Sequence, residues 1–462
     1  MGGFDTDPRR EKKRRNQAPA LESEESEAMS SDRALEAQTM RKVTWRLLPF
    51  LMLCYLMAFI DRTNVGMASL QMNADVGLSS KVFGFGASLF FIAYFLMEVP
   101  SNLMLQKVGA RFWIARIMIT WGLVSITMSL VWNAPSFYVM RFLLGAAEAG
   151  FFPGIILYLT YWLPPRYRGR FLALFAIAIP VSSFIGSPLS GVLLAMNGLG
   201  GLRGWQWLFI LEGVPTVLLG IACLKVLTDR PAQATWLSTQ ERDWLQRELA
   251  ATAQQKPMVS GSAWRLAVTP AFWAMVIACS GASAAGSVLS IWQPQLLKSF
   301  GLTDLQTGLI NSIPYGVASI AMVFWGRHSD RTNERRWHTA LPLILIAVGA
   351  VGTFVLSGLA PTVLLLTFVL VGAYCFKGPF WSMASTWLSG STAAAGIAAI
   401  NATSNLIGGG LMINVYGFIH DATGSYVLAL LPLAILTLAS ATAVVIVGRG
   451  VKAGRAAEVI RA

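Results

Sequence analysis

The sequence predicts an all-α membrane protein with twelve transmembrane helices, arranged as two pseudo-symmetric six-helix bundles. Of its 462 residues, 55% are hydrophobic and 13% are charged, whereas a soluble domain carries roughly 25% charged residues. The apolar residues fall into runs of about 20, the length that crosses roughly 30 Å of hydrocarbon. Six runs precede a polar stretch near the middle of the chain and six follow it, which indicates two halves joined by a linker.

The helical spans and the segments around them follow from these runs. The spans are predicted at 44–68, 82–105, 112–132, 136–161, 170–195, 205–228, 267–297, 306–326, 338–358, 361–388, 393–417 and 425–448. The predicted segments are a disordered cytoplasmic tail (1–40), an N-terminal bundle (41–228), a cytoplasmic linker (229–265), a C-terminal bundle (266–450) and a C-terminal cytoplasmic tail (451–462). The first tail is too polar to bury a core, and it has no apolar segment typical of a signal peptide.

The linker contains a short helix of its own. Ser238 is followed three residues later by Glu241, the spacing of a capping box that satisfies two backbone donors at a helix start. Trp244, Leu245 and Leu249 then recur at helical spacing. We expect a short amphipathic helix at the cytoplasmic face.

The distribution of the basic residues predicts the orientation. The net charge of +13 comes largely from arginines and lysines in short loops after the second, fourth and eighth spans. Such a bias places those loops, the linker and both termini in the cytoplasm, and it argues against a nucleic-acid partner. The four cysteines lie inside apolar runs and the three histidines are scattered, so we expect neither a metal site nor a cofactor.

Two loops resemble each other and indicate an internal repeat. The loop after the eighth span, 326–336, has small, acidic and basic residues that could latch helix ends together, with Asp330 and Arg331 at its centre. The loop after the second span, 102–111, ends on Arg111 but has Gln106 in place of the acid. The loop 326–336 resembles the cytoplasmic loop signature of the major facilitator superfamily. The resemblance implies a gating role for Asp330 and Arg331, and for Arg111 in the corresponding loop 102–111.

Four further motifs narrow the resemblance. Tyr55–Ala68 reads YLMAFIDRTNVGMA, Glu98–Gly109 reads EVPSNLMLQKVG, Arg141–Gly154 reads RFLLGAAEAGFFPG, and the linker opens with Asp-Arg-Pro at 229–231. Together they resemble the anion:cation symporter family, which includes bacterial tartrate, phthalate, hydroxyphenylacetate and galactonate permeases. The resemblance covers roughly residues 40–450 and implies two bundles that rock around a site at the midplane.

Charged residues inside apolar spans are the strongest indication of function, because each costs about 2.5–3.5 kcal/mol at the bilayer centre. Arg141 and Glu148 are seven residues apart, which places them within about 20° of one helix face. They could form a static buried ion pair, or Glu148 could carry a coupling proton whose binding Arg141 tunes. Asp61 and Arg62 could be functional, or could snorkel to the outer interface.

The resemblance assigns these residues and several others to the transport site. It implies that Asp61 binds a proton and that Arg62 holds a substrate carboxylate, for which a guanidinium offers two parallel hydrogen bonds. It also implies substrate contacts from one residue of the second span and three of the last spans: Tyr94, Trp381, Asn401 and Asn405. Lys377 departs from the family pattern, and a second cation there would suit a dicarboxylate or would lock an acid in place structurally.

We therefore expect a secondary active transporter, not an enzyme, that imports a small organic anion by proton symport. The expected setting is a bacterial cytoplasmic membrane, with the lipid bilayer as partner and a monomer as the functional unit. An organic-anion exporter or exchanger of the same fold is the main alternative. A membrane enzyme is disfavoured because the sequence shows no nucleophile–base pair or metal cluster, and a receptor that uses the charged tail is the last alternative.

Overall fold

The computed structural model describes residues 8–254, 269–387 and 393–452. All regular secondary structure in these residues is helical, and twelve helical spans are long and apolar enough to cross a membrane. The predicted fold class is therefore confirmed. The remaining parts of the predicted linker and C-terminal tail, and residues 1–7, lie outside the described residues.

The first six spans form the N half and the last six form the C half. The N half contains α1 Pro8–Val76, α2 Ser80–Val108, α3 Ala110–Thr127, α4 Ala134–Glu148, α5 Phe151–Thr160, α6 Pro165–Leu194 and α7 Gly204–Val226. The linker helix is α8 Thr239–Gln254. The C half contains α9 Pro270–Lys298, α10 Asp304–Thr332, α11 Arg336–Val355, α12 Leu359–Cys375, α13 Lys377–Trp387, α14 Ala393–Asn405, a π-helical segment Leu406–Met412, α15 Ile413–Thr423 and α16 Leu431–Lys452.

Three spans are interrupted part-way along their length. The fourth span breaks between α4 and α5 at Gly150, whose φ of 84° is a left-handed conformation that glycine adopts without strain. The tenth span is divided at Phe376, between α12 and α13. The eleventh span widens into the π-helical segment, a feature that is frequent at functional sites. Glu148, Lys377 and Asn405 each stand at one of these interruptions.

The beginning of α1 differs from the predicted disordered tail. The helix already contains residues 8–40, and Thr39 and Met40 are buried. Glu36 pairs with Arg166 of α6 at 2.8 Å and accepts a hydrogen bond from Tyr167 at 2.6 Å. The stretch from Glu36 to Met40 is thus tied to the rest of the N half, a tertiary effect that its composition does not reveal.

The linker helix docks on the same end of the molecule as the start of α1. Both hydrogen bonds of the capping box between Ser238 and Glu241 are present, at 2.8 and 3.2 Å. Glu241 also pairs with Lys42 at 2.7 Å, and Trp244 and Leu245 are buried. We call this end the linker face and the opposite end the far face.

The N and C halves contact each other closely toward the far face. Gln71 donates a hydrogen bond to Asp304 at 2.7 Å, and Gln295 donates one to Ser69 at 2.9 Å. At Gly417, a Cβ atom would lie 2.5 Å from the carbonyl oxygen of Ser80, so only glycine permits α15 to approach α2 this closely. These contacts close the space between the halves at the far face.

Candidate functional site

Arg62 is the centre of the candidate site. It lies on α1 with 23% of its side chain exposed, and its guanidinium donates a hydrogen bond to the buried carboxylate of Glu148 at the end of α4. The guanidinium also lies over the rings of Phe59, Phe90 and Tyr94, at 5.0–5.4 Å from their centroids. The two residues that the sequence analysis placed in separate roles are therefore one ion pair, lined by aromatic rings.

Asp61 points away from Arg62 into the interior of the N half. Its side chain is 1% exposed and accepts hydrogen bonds from Asn64 at 3.3 Å, Ser125 at 3.2 Å and Thr216 at 3.0 Å. Snorkelling of Asp61 to an interface is therefore excluded. Because neighbours in sequence point to different sides of a helix, Asp61 and Arg62 serve different surroundings.

Arg141 is buried but does not pair with Glu148 in the way the spacing suggested. Its guanidinium lies 4.9 Å from the ring centroid of Phe90 and donates a long hydrogen bond of 3.4 Å to the carbonyl of Ala87. Two of its nitrogens, Nε and Nη1, have no hydrogen-bond partner among the described residues. Glu148 uses Arg62 as its hydrogen-bonded partner instead, and Arg141 influences it from a greater distance.

Of the residues predicted in the C half, Lys377 is the one whose described interactions reach this centre. Lys377 is half-buried at the start of α13, lies 5.0 Å from the ring centroid of Tyr374, and is close enough to Arg62 for the two cations to interact electrostatically. Trp381 packs edge-on against Phe380, and Asn401 is half-buried. Asn405 is exposed and accepts a hydrogen bond from Ser283 at 2.8 Å.

The residues predicted to form a gate lie at the linker face and pair within their own surroundings. Asp330, near the end of α10, pairs at 2.7 Å with Arg335, which follows that helix. The amide of Arg111 donates to Asp229 at 2.8 Å, and its side chain donates to the carbonyl of Leu224. Asp229 therefore supplies, from the start of the linker, the acid that the loop with Gln106 lacks.

The sequence analysis missed a third buried acid in the N half. Glu212 of α7 is 1% exposed and accepts a hydrogen bond from Ser190 of α6 at 2.9 Å. An acidic residue inside the predicted span 205–228 was the available signal. Groups of three or more potential metal ligands are absent from the part of the chain that the structure describes.

Comparison with known proteins places this architecture in a family. Residues 51–413 match the family model of the Major Facilitator Superfamily. A protein of Agrobacterium vitis named "Putative tartrate transporter" is 49% identical over 415 residues, covering 90% of this chain and 92% of the relative. A protein of Acinetobacter baumannii named "Quinolone resistance transporter" is 40% identical, covering 87% of this chain and 93% of the relative.

The solved structures show the same fold at lower identity. The crystal structure of a bacterial homologue of the human lysosomal transporter Spinster superposes with a TM-score of 0.75 at 16% identity, covering 88% of this chain and 97% of the other. Together with the twelve spans, the family match settles the class of protein. The chain belongs to the Major Facilitator Superfamily and is a multi-pass membrane protein that acts as a secondary transporter and not as an enzyme.

Proposed function

We propose that this protein imports a small organic acid, in particular a dicarboxylate such as tartrate, in symport with protons. The observation that carries the proposal is the ion pair between the half-buried Arg62 and the buried Glu148. When Glu148 takes up a proton it no longer competes for the guanidinium, and a substrate carboxylate can replace it. Arginine is suited to this exchange because its planar fork binds carboxylates with two parallel hydrogen bonds.

The C half supplies the groups that distinguish a dicarboxylate from a simpler anion. Lys377 stands within electrostatic range of Arg62 and, among the described residues, has no carboxylate within salt-bridge distance. A second carboxylate of the substrate would take that place. Asn401, Asn405 and Trp381 can contact the hydroxyl groups and the carbon chain between the two carboxylates. The relative named for tartrate supports this chemistry, since tartrate carries two carboxylates and two hydroxyls.

The proposed transport cycle moves protons and substrate together toward the cytoplasm. Asp61 and Glu148 take up protons from outside, Arg141 tunes the site near Glu148, and Tyr94 lines the site beside Arg62. The halves, residues 41–228 and 266–450, then rock about the centre. Two protons that enter with a dianion move no net charge, whereas each additional proton would be favoured by about 2.3 kcal/mol per 100 mV of membrane potential.

Orientation and gating complete the proposal. The basic loops place both termini and the linker in the cytoplasm of a bacterium, with the protein in its cytoplasmic membrane as a functional monomer. In this orientation the far-face contacts close the protein to the outside. Asp330, Arg331 and Arg111 then act in the opposite state, in which the linker face closes and their present partners are exchanged for contacts between the halves.

Purified protein and proteoliposomes test the proposal. A thermal-shift screen against mono- and dicarboxylates, sugar acids and aromatic acids should give a hit with tartrate or a close analogue, since a ligand at 100 times its Kd stabilises by about 2.7 kcal/mol. Uptake of that ligand should rise when the outside is made acidic. A panel in which no acid stabilises or is taken up would refute the proposed function.

An exporter is the second candidate, because of the relative named for quinolone resistance. An exporter would exchange external protons for an internal substrate. Quinolone susceptibility of cells that express the chain, measured beside cells that express Arg62→Ala, separates the two functions. Resistance that Arg62→Ala abolishes favours export, whereas unchanged susceptibility together with acid-stimulated tartrate uptake favours import.

A further inference from the structure

Glu212 is a buried acid that the proposed transport cycle does not use. One carboxyl oxygen, Oε1, accepts the hydrogen bond from Ser190, and the other, Oε2, is buried with no hydrogen-bond partner. Among the described residues, no lysine, arginine or histidine forms a salt bridge with it. A bare carboxylate in such surroundings is costly, and a buried acid in this position usually takes a proton instead.

Asp61 shares these surroundings. The hydroxyl of Thr216 donates to Asp61 at 3.0 Å and also contacts the carbonyl of Glu212, one turn earlier in the same helix, at 3.3 Å. Asn64 lies beside both carboxyls, donates to Asp61 at 3.3 Å, and has an Oδ1 atom that is buried without a donor. The unpaired oxygens of Glu212 and Asn64 are two acceptors in a site that lacks a donor, and a proton on Glu212 would supply it.

The charged neighbours of this acid pair are already engaged with each other. Arg62 of α1 and Glu148 of α4 form the ion pair of the central site. From α3 and α6, the described contacts are hydroxyl groups, Ser125 to Asp61 and Ser190 to Glu212. Two carboxyls that share one dry environment interact strongly, so they bind and release their two protons in coupled steps.

A small polar cavity connects this pair to the boundary between the halves. Its volume is about 10 Å³, close to the minimum that holds one water molecule. It is lined from the N half by Thr63, Ser183, Ser187 and Ser190, and from the C half by Ser290 and Asn311. Ser190 both lines this cavity and donates to Glu212, while Asn311 donates to Ser187 across the boundary at 2.8 Å.

We propose that Glu212 adds a second proton to the site of Asp61, and that this pair exchanges protons with the far face through this serine-lined cavity. The role of this site in coupling rests on the proposed proton symport, whereas its location rests on the contacts described above. In this structure the halves pack against each other at the far face. When they separate there, the side of the cavity formed by Ser290 and Asn311 moves away, and water reaches Ser190 and then Glu212. Glu148, by contrast, faces the central site.

Infrared difference spectroscopy of the reconstituted full-length protein tests the site without any substrate. A protonated carboxyl group has a C=O stretching band that a carboxylate lacks. We expect a pH titration to show such a band from a buried acid, and Glu212→Gln to lose it. Glu241→Gln, which removes a linker acid paired with Lys42, should leave the band in place. A titration that is unchanged by Glu212→Gln would overturn the proposal.

A second pair of variants remains informative if Glu212→Gln does not fold. Ser190→Ala should shift the frequency of the same band, because it removes the hydrogen bond to Glu212. Ser183→Ala, which changes the cavity wall without a recorded bond to Glu212, should not. Equal spectra for wild type and Ser190→Ala would overturn the site. Absence of tartrate uptake would refute the substrate proposal alone, since the band does not depend on transport.

Proton counting in proteoliposomes then tests the role. We expect Glu212→Gln to lower the number of protons taken up per substrate by one, while counterflow exchange of substrate continues. An unchanged ratio in a variant that has lost the infrared band would show that the proton on Glu212 is structural, and would overturn its part in coupling.

Discussion

The N and C halves share one architecture but differ in how they treat charge. In the spans of the N half, Asp61, Arg141, Glu148 and Glu212 are each at most 2% exposed. In the described spans of the C half, the buried hydrogen-bonding groups are mostly neutral, such as Gln293 and Asn311, and Lys377 is half-buried at the edge of the site. Ionisable groups that are held dry are thus concentrated on one side of the centre.

This difference suggests a division of work between the halves. Buried acids change charge when a proton binds, so the N half is suited to sense protons and to pass that change to Arg62. The neutral amides and the indole of the C half do not change charge when the pH changes, but they can recognise the hydroxyl groups and the shape of a substrate. A transporter built in this way can change its substrate through the C half while it keeps its coupling device in the N half.

Removal of Arg62 should give the largest effect. We expect Arg62→Ala to weaken tartrate binding by about 10- to 100-fold, because a hydrogen bond to a charged group contributes roughly 1.5–3 kcal/mol. Calorimetry or thermal shift with purified protein measures it. Arg62→Lys is the matched control, since it keeps the charge but loses the two parallel hydrogen bonds of the guanidinium. Its affinity for tartrate should lie between those of wild type and Arg62→Ala. Equal affinity in wild type and Arg62→Ala would break the assignment of Arg62 to the substrate.

Neutralising Glu148 should separate coupling from binding. We expect Glu148→Gln to lose accumulation driven by a pH gradient, which is about tenfold per pH unit for each coupled proton. Substrate exchange between equal solutions should continue, because Gln keeps the shape of a protonated Glu. Uptake and counterflow in the same proteoliposomes measure the two activities. Loss of both together would indicate that Glu148 is structural and would contradict the proposed division of work.

Replacement of Lys377 tests the contribution of the C half to substrate binding. We expect Lys377→Gln to weaken binding of a dicarboxylate by about tenfold, or roughly 1.4 kcal/mol, and to leave a matched monocarboxylate almost unchanged. Competition binding with tartrate and with its monoamide measures the difference. A variant that weakens both ligands equally would place Lys377 in support of the fold and would leave discrimination to Asn401, Asn405 and Trp381.

Much of the fold could be predicted from the sequence, because the bilayer imposes one strong rule. Each span must be long and apolar, so the twelve spans were readable from hydropathy alone. The helical conformation of residues 8–40 could not be predicted from hydropathy, because that segment is polar. In the structure it continues α1, and Glu36 near its end pairs with Arg166. Breaks at Gly150, Phe376 and the π-helical segment also depend on tertiary packing.

The charged residues inside the spans could be picked out from the sequence, but their partners could not. Helical spacing placed Arg141 and Glu148 on one face, but the partner of Glu148 is Arg62, 86 residues away in sequence. A pattern within one helix cannot reveal a partner on another helix. Glu212 was missed for a similar reason: a single acid in an apolar run gains its meaning only from Asp61 and Ser190, which other helices bring to it.

The linker should show the smallest effect, and it contrasts with the acids inside the membrane spans. Burial raises the pKa of Glu241, but hydrogen bonds from Lys42 and the amide of Ser238 outweigh it and lower the pKa below its usual value. The resulting stabilisation is present above the unfolded pKa of about 4.3 and is lost as the pH falls through the folded pKa.

We therefore expect Glu241→Gln, which keeps the capping box but removes the ion pair with Lys42, to destabilise the docked linker by up to about 1 kcal/mol at pH 7 and by less near pH 4. Thermal unfolding in detergent at both pH values measures the difference. Asp243→Asn is the control, because Asp243 is an exposed acid on the same helix and should leave the melting temperature unchanged at either pH. A loss from Glu241→Gln that is equal at both pH values would show that shape, and not the charge of Glu241, holds the linker to α1.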